Sequence, residues 1–303
     1  MPSEAADSRA MCKEFLMVEA CLCGSCEWDE AAALQKRRCR GCGLLSPVHA
    51  PDSRNLAAWY EKEYWKHYRE EQMGMGRDNI YRHALAWLTR LLPGRVTVLD
   101  IGCGGGRLLS LCQAQGWKAI GVEPSQDAAM YARRRGLDVH SQAWPGLAIA
   151  DESVDVVTFI NVLDHLPDPF EALREAFRVL KPTGLLYVRV PNAPLHAWAK
   201  RLLVHAGLED MAVLHVYGFG RRSLSRLLPR LAFVPMAVRA APPAKGHPYE
   251  TDSTLLDWGY ASLKLADRLW YWVLRILGLG RLGWGPSLEV LARKAPSAVG
   301  VPS

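Results

Sequence analysis

An apolar run that ends in a carboxylate and turns through glycine into a helix constrains this chain more than any other feature. The run is Val98-Leu99-Asp100-Ile101-Gly102-Cys103-Gly104-Gly105-Gly106-Arg107-Leu108. Glycines let the backbone pass close to a ligand, and the first turn of the following helix offers N–H groups that have no partner within the helix. The segment is therefore predicted to be a strand, a ligand-facing loop and a helix in a parallel sheet. A dinucleotide fingerprint, G-x-G-x-x-G, would need glycine at position 107, where the chain has Arg107, and the G-x-x-x-x-G-K-[ST] pattern of a phosphate-binding loop is missing.

The rest of the chain supports a doubly wound α/β sheet. Short apolar runs at Thr97–Ile101, Lys118–Val122, Val154–Ile160 and Leu185–Val190 read as strands, and they alternate with helical patterns at Arg107–Gln115, Ser125–Arg135 and Pro169–Leu180. Ala232–Arg239 and Leu288–Lys294 read as two later strands separated by a long helical insertion at about 240–286. Before the sheet, residues 1–55 form a cysteine-bearing unit and 56–92 an amphipathic helical connector. Half of the residues are hydrophobic and 22% are charged, which suits a folded core and excludes a disordered chain. A net charge of +6 favours anionic partners without the density of a nucleic-acid-binding tail.

A second strand ends in Gly121-Val122-Glu123-Pro124, which sets a carboxylate at the tip beside Asp100, where a ribose diol would donate to it. The D-x-G-x-G-x-G loop and its distance from Glu123 resemble motifs of the class I S-adenosylmethionine-dependent methyltransferases, over about Val96 to Lys294. Asn161-Val162-Leu163-Asp164-His165-Leu166-Pro167-Asp168-Pro169 is similar to the family's segment after its fourth strand. Leu180-Lys181-Pro182-Thr183-Gly184 is similar to its LkPGG turn, with Thr183 in place of the first glycine. The resemblance implies that S-adenosyl-L-methionine is the cofactor. Asp100, Gly102, Cys103, Gly104 and Gly106 would hold its methionine portion, Glu123 with Pro124 its ribose, and Asn161 would lie near the sulfonium. After the third strand, where relatives often carry an acid for the adenine amine, this chain reads Ser141-Gln142-Ala143-Trp144.

Cys39-Arg40-Gly41-Cys42-Gly43 forms a knuckle that would turn two thiolates toward one point, and Cys21, Cys23 and Cys26 stand upstream. The segment resembles the zinc ribbon that precedes a group of sugar and natural-product methyltransferases. C-x-x-C spacing favours Cys23, Cys26, Cys39 and Cys42 as the set, with Cys21 the alternative to Cys26. Four thiolates leave no open position for water, so a zinc held there is expected to be structural.

For catalysis, His165 follows the fourth strand where the site should open, and His215 lies beyond the fifth, so both are candidate bases toward a hydroxyl acceptor. A small-molecule or glycan acceptor is the expected partner. RNA is the alternative through Lys36-Arg37-Arg38 and Arg40, and a scaffold that binds the cofactor without catalysis is another. Base-amine methylation is disfavoured, because Asn161-Val162-Leu163-Asp164 lacks the Asn/Asp-Pro-Pro-aromatic motif. Residues 255–284 mix arginines with tryptophans on a broad apolar pattern too interrupted to span a bilayer, which is consistent with peripheral membrane contact. Met1–Ala10 shows no charged lead into an apolar stretch, so a cytoplasmic location with most thiols reduced is expected.

Overall fold

Five apolar strands pair in parallel at the centre of the molecule: β4 (Thr97–Ile101), β5 (Lys118–Val122), β6 (Asp138–His140), β7 (Val154–Ile160) and β8 (Leu180–Pro191). A computed structural model of the chain describes residues 20–31, 36–48, 61–62, 75–198, 216–244 and 254–296, the side chains of 254–260 and 263 excepted. Two further strands, β9 (Phe233–Ala240) and β10 (Ser287–Lys294), complete a seven-stranded sheet of order β6-β5-β4-β7-β8-β10-β9. Within it β10 runs antiparallel to both β8 and β9. The chain leaves β4 toward β5 on one side and returns to β7 on the other, so the carboxyl ends of these strands flank the switch point where such sheets bind ligands.

Burial on both faces explains why the strands read as continuous apolar runs: β7 is buried at six of its seven positions. Helices α1 (Asp78–Thr89), α2 (Arg107–Ala114) and α3 (Gln126–Arg134) cover one face through Ile80, Leu88, Leu108, Leu109 and Ala132. Helices α4 (Pro169–Val179) and α5 (Arg221–Arg230) cover the other through Leu173, Ala176, Leu224 and Leu227. Asp168 caps α4 by accepting from the Phe170 and Glu171 amides at 2.8 and 2.9 Å, with Pro169 at the first helical position.

The three-stranded amino-terminal sheet, β1 (Trp28–Ala31), β2 (Lys36–Cys39) and β3 (Leu45–Pro47), docks on the large unit. Leu45 and Gly218 exchange both backbone hydrogen bonds at 2.9 Å, Lys36 Nζ donates to the Val216 carbonyl at 2.6 Å, and Arg226 donates to the Gly41 carbonyl. Cys39, Cys42 and Leu44 lie in the same buried cluster as Phe219 and Leu224, so the small sheet shares the core of the large one. Most of the expected connector, 56–60 and 63–74, lies outside the described residues, and its carboxyl-terminal part is α1.

The helix expected over Pro169–Leu180 does end at Val179, but the strand expected at Leu185–Val190 begins earlier, since Leu180 already pairs with Val154 and Lys181–Gly184 belongs to β8. Thr183 sits there at φ 63, the left-handed region that the family's glycine would occupy without cost. A β-branched residue in that region costs about 1–2 kcal/mol, partly offset by the chain entropy a glycine loses. Thr183→Gly is therefore expected to stabilise the protein by about 1 kcal/mol, a Tm rise of about 2–3 °C in a thermal melt.

The insertion is helix α6 (Thr254–Ile276), followed by a 3-10 turn at Leu279–Leu282. No helix among the described residues is long and apolar enough to cross a membrane.

Candidate active site

The glycine loop closes where side chains would collide. Gly102 has φ 68, and a Cβ there would come 2.4 Å from Val162 Cγ2; Gly106 has φ 77, and its Cβ would come 2.3 Å from Leu137 Cδ1. The loop is thus pressed against the neighbouring strand ends, and glycine leaves its backbone without side chains there. Arg107, in the place where a dinucleotide fingerprint needs glycine, forks onto Asp78 and donates from Nε at 2.6 Å. Asp78 also accepts from Arg82 at 2.5 Å, so α1 is pinned to the start of α2.

Asp100 and Glu123 sit at adjacent strand tips, each 3% exposed. Thr158 donates to Asp100 Oδ1 at 2.6 Å, across the pairing of β4 with β7. Glu123 accepts from the Gly104 amide on one oxygen and from the Ser125 amide on the other, both at 2.9 Å, and so ties the glycine loop to the tip of β5. Burial pushes both carboxyls up to about 7, against the hydrogen bonds that favour their ionised forms. The Glu123 charge adds to the rise at Asp100.

Cys103 is buried, its Sγ filling the space that a side chain at Gly121 would need, and Pro124 is half-buried at the tip of β5. Asn161 takes φ 57 at the end of β7 and is held there from β8: its amide donates to the Arg189 carbonyl at 2.8 Å, and the Arg189 guanidinium donates to Asn161 Oδ1. Arg189, 4% exposed, also donates to the Pro242 carbonyl at 3.0 Å and to Ser287 Oγ at 3.1 Å. Its role was not readable beforehand, and the one available signal was a cation inside the apolar strand sequence Leu-Leu-Tyr-Val-Arg-Val-Pro. Beyond β6, the buried Ser141 hydroxyl has no hydrogen-bond partner among the described residues.

These features fit S-adenosylmethionine. The bare loop suits an aminocarboxypropyl chain, and two buried carboxyls suit an ammonium and a ribose diol. An orphaned hydroxyl lies where an adenine edge would need an acceptor or donor.

His165 is part-exposed, with its Nε2 3.7 Å from Oδ2 of the buried Asp164. The Asp164 carbonyl accepts from the Tyr217 amide at 2.9 Å, and Tyr217 packs edge-on to Phe170, so the loop after β7 meets the segment that precedes α5. His215 lies outside the described residues.

In the amino-terminal sheet the sulfurs of Cys21, Cys23, Cys39 and Cys42 all lie within 4.8 Å of one another. Cys21–Cys42 and Cys23–Cys39 are separated by 3.6 and 3.5 Å, near the ~3.8 Å between sulfurs of a tetrahedral site with zinc–sulfur bonds of about 2.3 Å. The structure brings Cys21 into this group and leaves out Cys26, which C-x-x-C spacing favours. The turn that closes with the Gly24 amide on the Cys21 carbonyl, at 2.7 Å, puts Cys21 and Cys23 on the same side. Gly41 is required in the facing knuckle, since a Cβ there would come 2.6 Å from Ser25 Cβ and 2.9 Å from Cys23 Sγ. A soft, closed set of four thiols fits zinc.

Known proteins place this architecture. Ubiquinone biosynthesis O-methyltransferase of Histophilus somni is 33% identical over 113 residues, 34% of this chain and 48% of that protein. The enzyme of the same name from Methylococcus capsulatus is 35% identical over 125 residues, 39% of this chain and 51% of that protein. The chain spans about half the length of the curated relatives it matches. Among solved structures, 1,6-didemethyltoxoflavin-N1-methyltransferase of Burkholderia thailandensis, with 1,6-didemethyltoxoflavin and S-adenosylhomocysteine bound, aligns at a TM-score of 0.54 and 18% identity. It covers 89% of this chain and 99% of that one. A SAM-dependent methyltransferase from Archaeoglobus fulgidus aligns at 0.50 and 20% identity over 77% of this chain and all of that one (100%). A family model described as a methyltransferase domain matches residues 65–235, more than half of the 303 residues. With that match lying on a sheet of this order, the chain belongs to the class I S-adenosylmethionine-dependent methyltransferases.

Proposed function

We propose that the protein transfers a methyl group from S-adenosylmethionine to a hydroxyl of a small molecule, with a sugar or glycan precursor as the favoured class. The observation that carries the cofactor half is the pair of buried carboxyls on adjacent strand tips, one of them bonded to the glycine loop. When bound, the cofactor supplies an electrophilic methyl on a sulfonium whose departure leaves a neutral thioether. Asp100, Gly102, Cys103, Gly104 and Gly106 bind its amino-acid portion, Glu123 and Pro124 the ribose side, and Asn161, held by Arg189, lines the reacting end. The chain's remaining task is to align an acceptor and exclude water. His165, next to Asp164 in the loop that meets Tyr217, is the base that takes the acceptor's proton.

Supporting the small-molecule reading over RNA, the basic run of the amino-terminal sheet is engaged within the protein. Lys36 is bonded to Val216, the Arg37 guanidinium lies 4.3 Å from the centre of the Trp28 ring, and Arg38 and Arg40 pair with Asp29 at 3.1 and 2.6 Å. Zinc held by Cys21, Cys23, Cys39 and Cys42 is structural in this reading. The site of action is the cytoplasm, where the Cys21, Cys23, Cys39 and Cys42 thiols stay free for a metal, whereas Cys26 is disulfide-bonded.

Methyl transfer to a panel of hydroxylated sugars and phenols tests the reading. His165→Ala is expected to lower kcat by about 10²–10⁴-fold with unchanged cofactor affinity. An undiminished rate would remove His165 from the chemistry.

Proton linkage offers a second check. The raised carboxyls mean that the cofactor-free protein holds protons that the unfolded chain releases near pH 4. Their contribution to stability is therefore full below about pH 4, declines as pH rises, and is gone above about pH 7. The cofactor's ammonium and sulfonium cations favour ionised Asp100 and Glu123. Binding between about pH 5 and 7 should thus release protons and tighten as pH rises. Calorimetry in buffers of different ionisation heat reads this directly, and binding with no proton release would contradict it.

A further inference from the structure

Helix α6 carries its large apolar side chains on the outside. Over its carboxyl-terminal half the sheltered stripe is Asp267, Arg268, Tyr271 and Leu274, while Leu265, Leu269, Trp272, Val273 and Ile276 recur at helical spacing on the exposed side. Leu269 is 59% exposed, Trp272 55% and Ile276 79%. The apolar surface continues past the helix through Leu277, Leu282 and Trp284, and the Trp270 indole donates to the Trp284 carbonyl at 2.8 Å. A soluble surface helix has the reverse arrangement, so this face is built to be covered.

The same end of α6 borders a cavity of about 310 Å³ walled by Trp87, Arg90, Arg239, Arg275 and Arg281, with Glu289 below. Glu289 is fully buried and already receives Tyr187 at 2.8 Å, His83 at 2.9 Å and Arg239 at 2.7 Å. Arg239 in turn lies 3.6 Å from the centre of the Trp87 ring. Arg90, Arg275 and Arg281 make no ion pair among the described residues. One carboxylate thus faces four guanidinium groups in a concave site, and the surplus is positive. Guanidinium groups match phosphate oxygens in geometry and charge.

Exposed leucine, isoleucine and tryptophan edged by arginine match the interface of an anionic bilayer, where acyl chains receive the apolar stripe and indoles sit at headgroup depth. A second copy of the chain fits less well, because a two-fold contact through this face would set one positively charged surface against another. We propose that α6 lies in the surface of an anionic membrane and that the arginine-walled cavity beside its end takes a phospholipid phosphate.

The test is flotation of the full chain with vesicles of phosphatidylcholine alone and of phosphatidylcholine mixed with phosphatidylglycerol. Binding is expected only to the anionic vesicles and should be lost as salt is raised. Arg281→Ala and Arg275→Ala should each lower partitioning about five-fold. Ile276→Asp should abolish it, with an unchanged Tm and unchanged S-adenosylhomocysteine affinity, since Ile276 is 79% exposed. Absence of flotation with both vesicle types would overturn the proposal, as would flotation undiminished in the Arg275→Glu/Arg281→Glu variant. A dimer in light scattering that Ile276→Asp converts to a monomer, in a chain that never floats, would assign the face to a second copy instead.

Discussion

Replacing Glu123 with alanine is expected to weaken S-adenosylhomocysteine binding by about ten- to hundred-fold for each charge-assisted hydrogen bond lost to the ribose. The effect should exceed the simple loss of those bonds. Glu123 is also the acceptor for the Gly104 and Ser125 amides, so its removal leaves two buried donors unpaired and frees the glycine loop from the tip of β5. Each unpaired donor costs about 1–3 kcal/mol, which would appear as a lower Tm even without cofactor. Glu123→Gln keeps one acceptor oxygen and should fall between wild type and alanine on both measures. Wild-type affinity in Glu123→Ala would mean that the ribose is held elsewhere.

Removal of a zinc held by the proposed site of Cys21, Cys23, Cys39 and Cys42 should have the largest effect on stability. Cys39, Cys42 and Leu44 belong to the buried cluster that includes Phe219, Leu224 and Leu227, so unravelling the amino-terminal sheet uncovers the face that α5 helps to pack. Structural zinc in small domains contributes about 10–16 kcal/mol of apparent binding free energy, and even a fraction of it exceeds the margin of an ordinary domain. Cys39→Ser, or a strong chelator, is therefore expected to lower Tm by more than any other single change considered and to reduce zinc below one per chain. The paired variants Cys21→Ser and Cys26→Ser separate the two candidate ligand sets. The structure predicts that zinc is lost in the first and retained in the second. The opposite result would restore the C-x-x-C spacing as the guide.

What could be read from the sequence followed the range of the interaction. The β4–α2 loop was legible because every part of it is local: an apolar run, a carboxylate and glycines at φ 68 and 77 are consecutive residues. The same holds for the bounds of β5 and β7. Arg189 could not be assigned a role, since its partners Asn161, Pro242 and Ser287 come from three other segments of the chain. Cys21 stood second to Cys26 because spacing alone cannot show that the turn at Gly24 swings it beside Cys42. For α6 the composition was plain, but whether its apolar stripe turns inward or outward depends on contacts far away in sequence.

Asp100, Glu123 and the glycine loop at the strand tips are proposed to hold the cofactor, and a calorimetric titration of the purified chain with S-adenosylhomocysteine tests that most directly. One saturable site per chain is predicted, with proton release near pH 6 because burial holds Asp100 and Glu123 partly protonated until the ligand's ammonium arrives. No detectable binding by a folded, zinc-replete protein would contradict it.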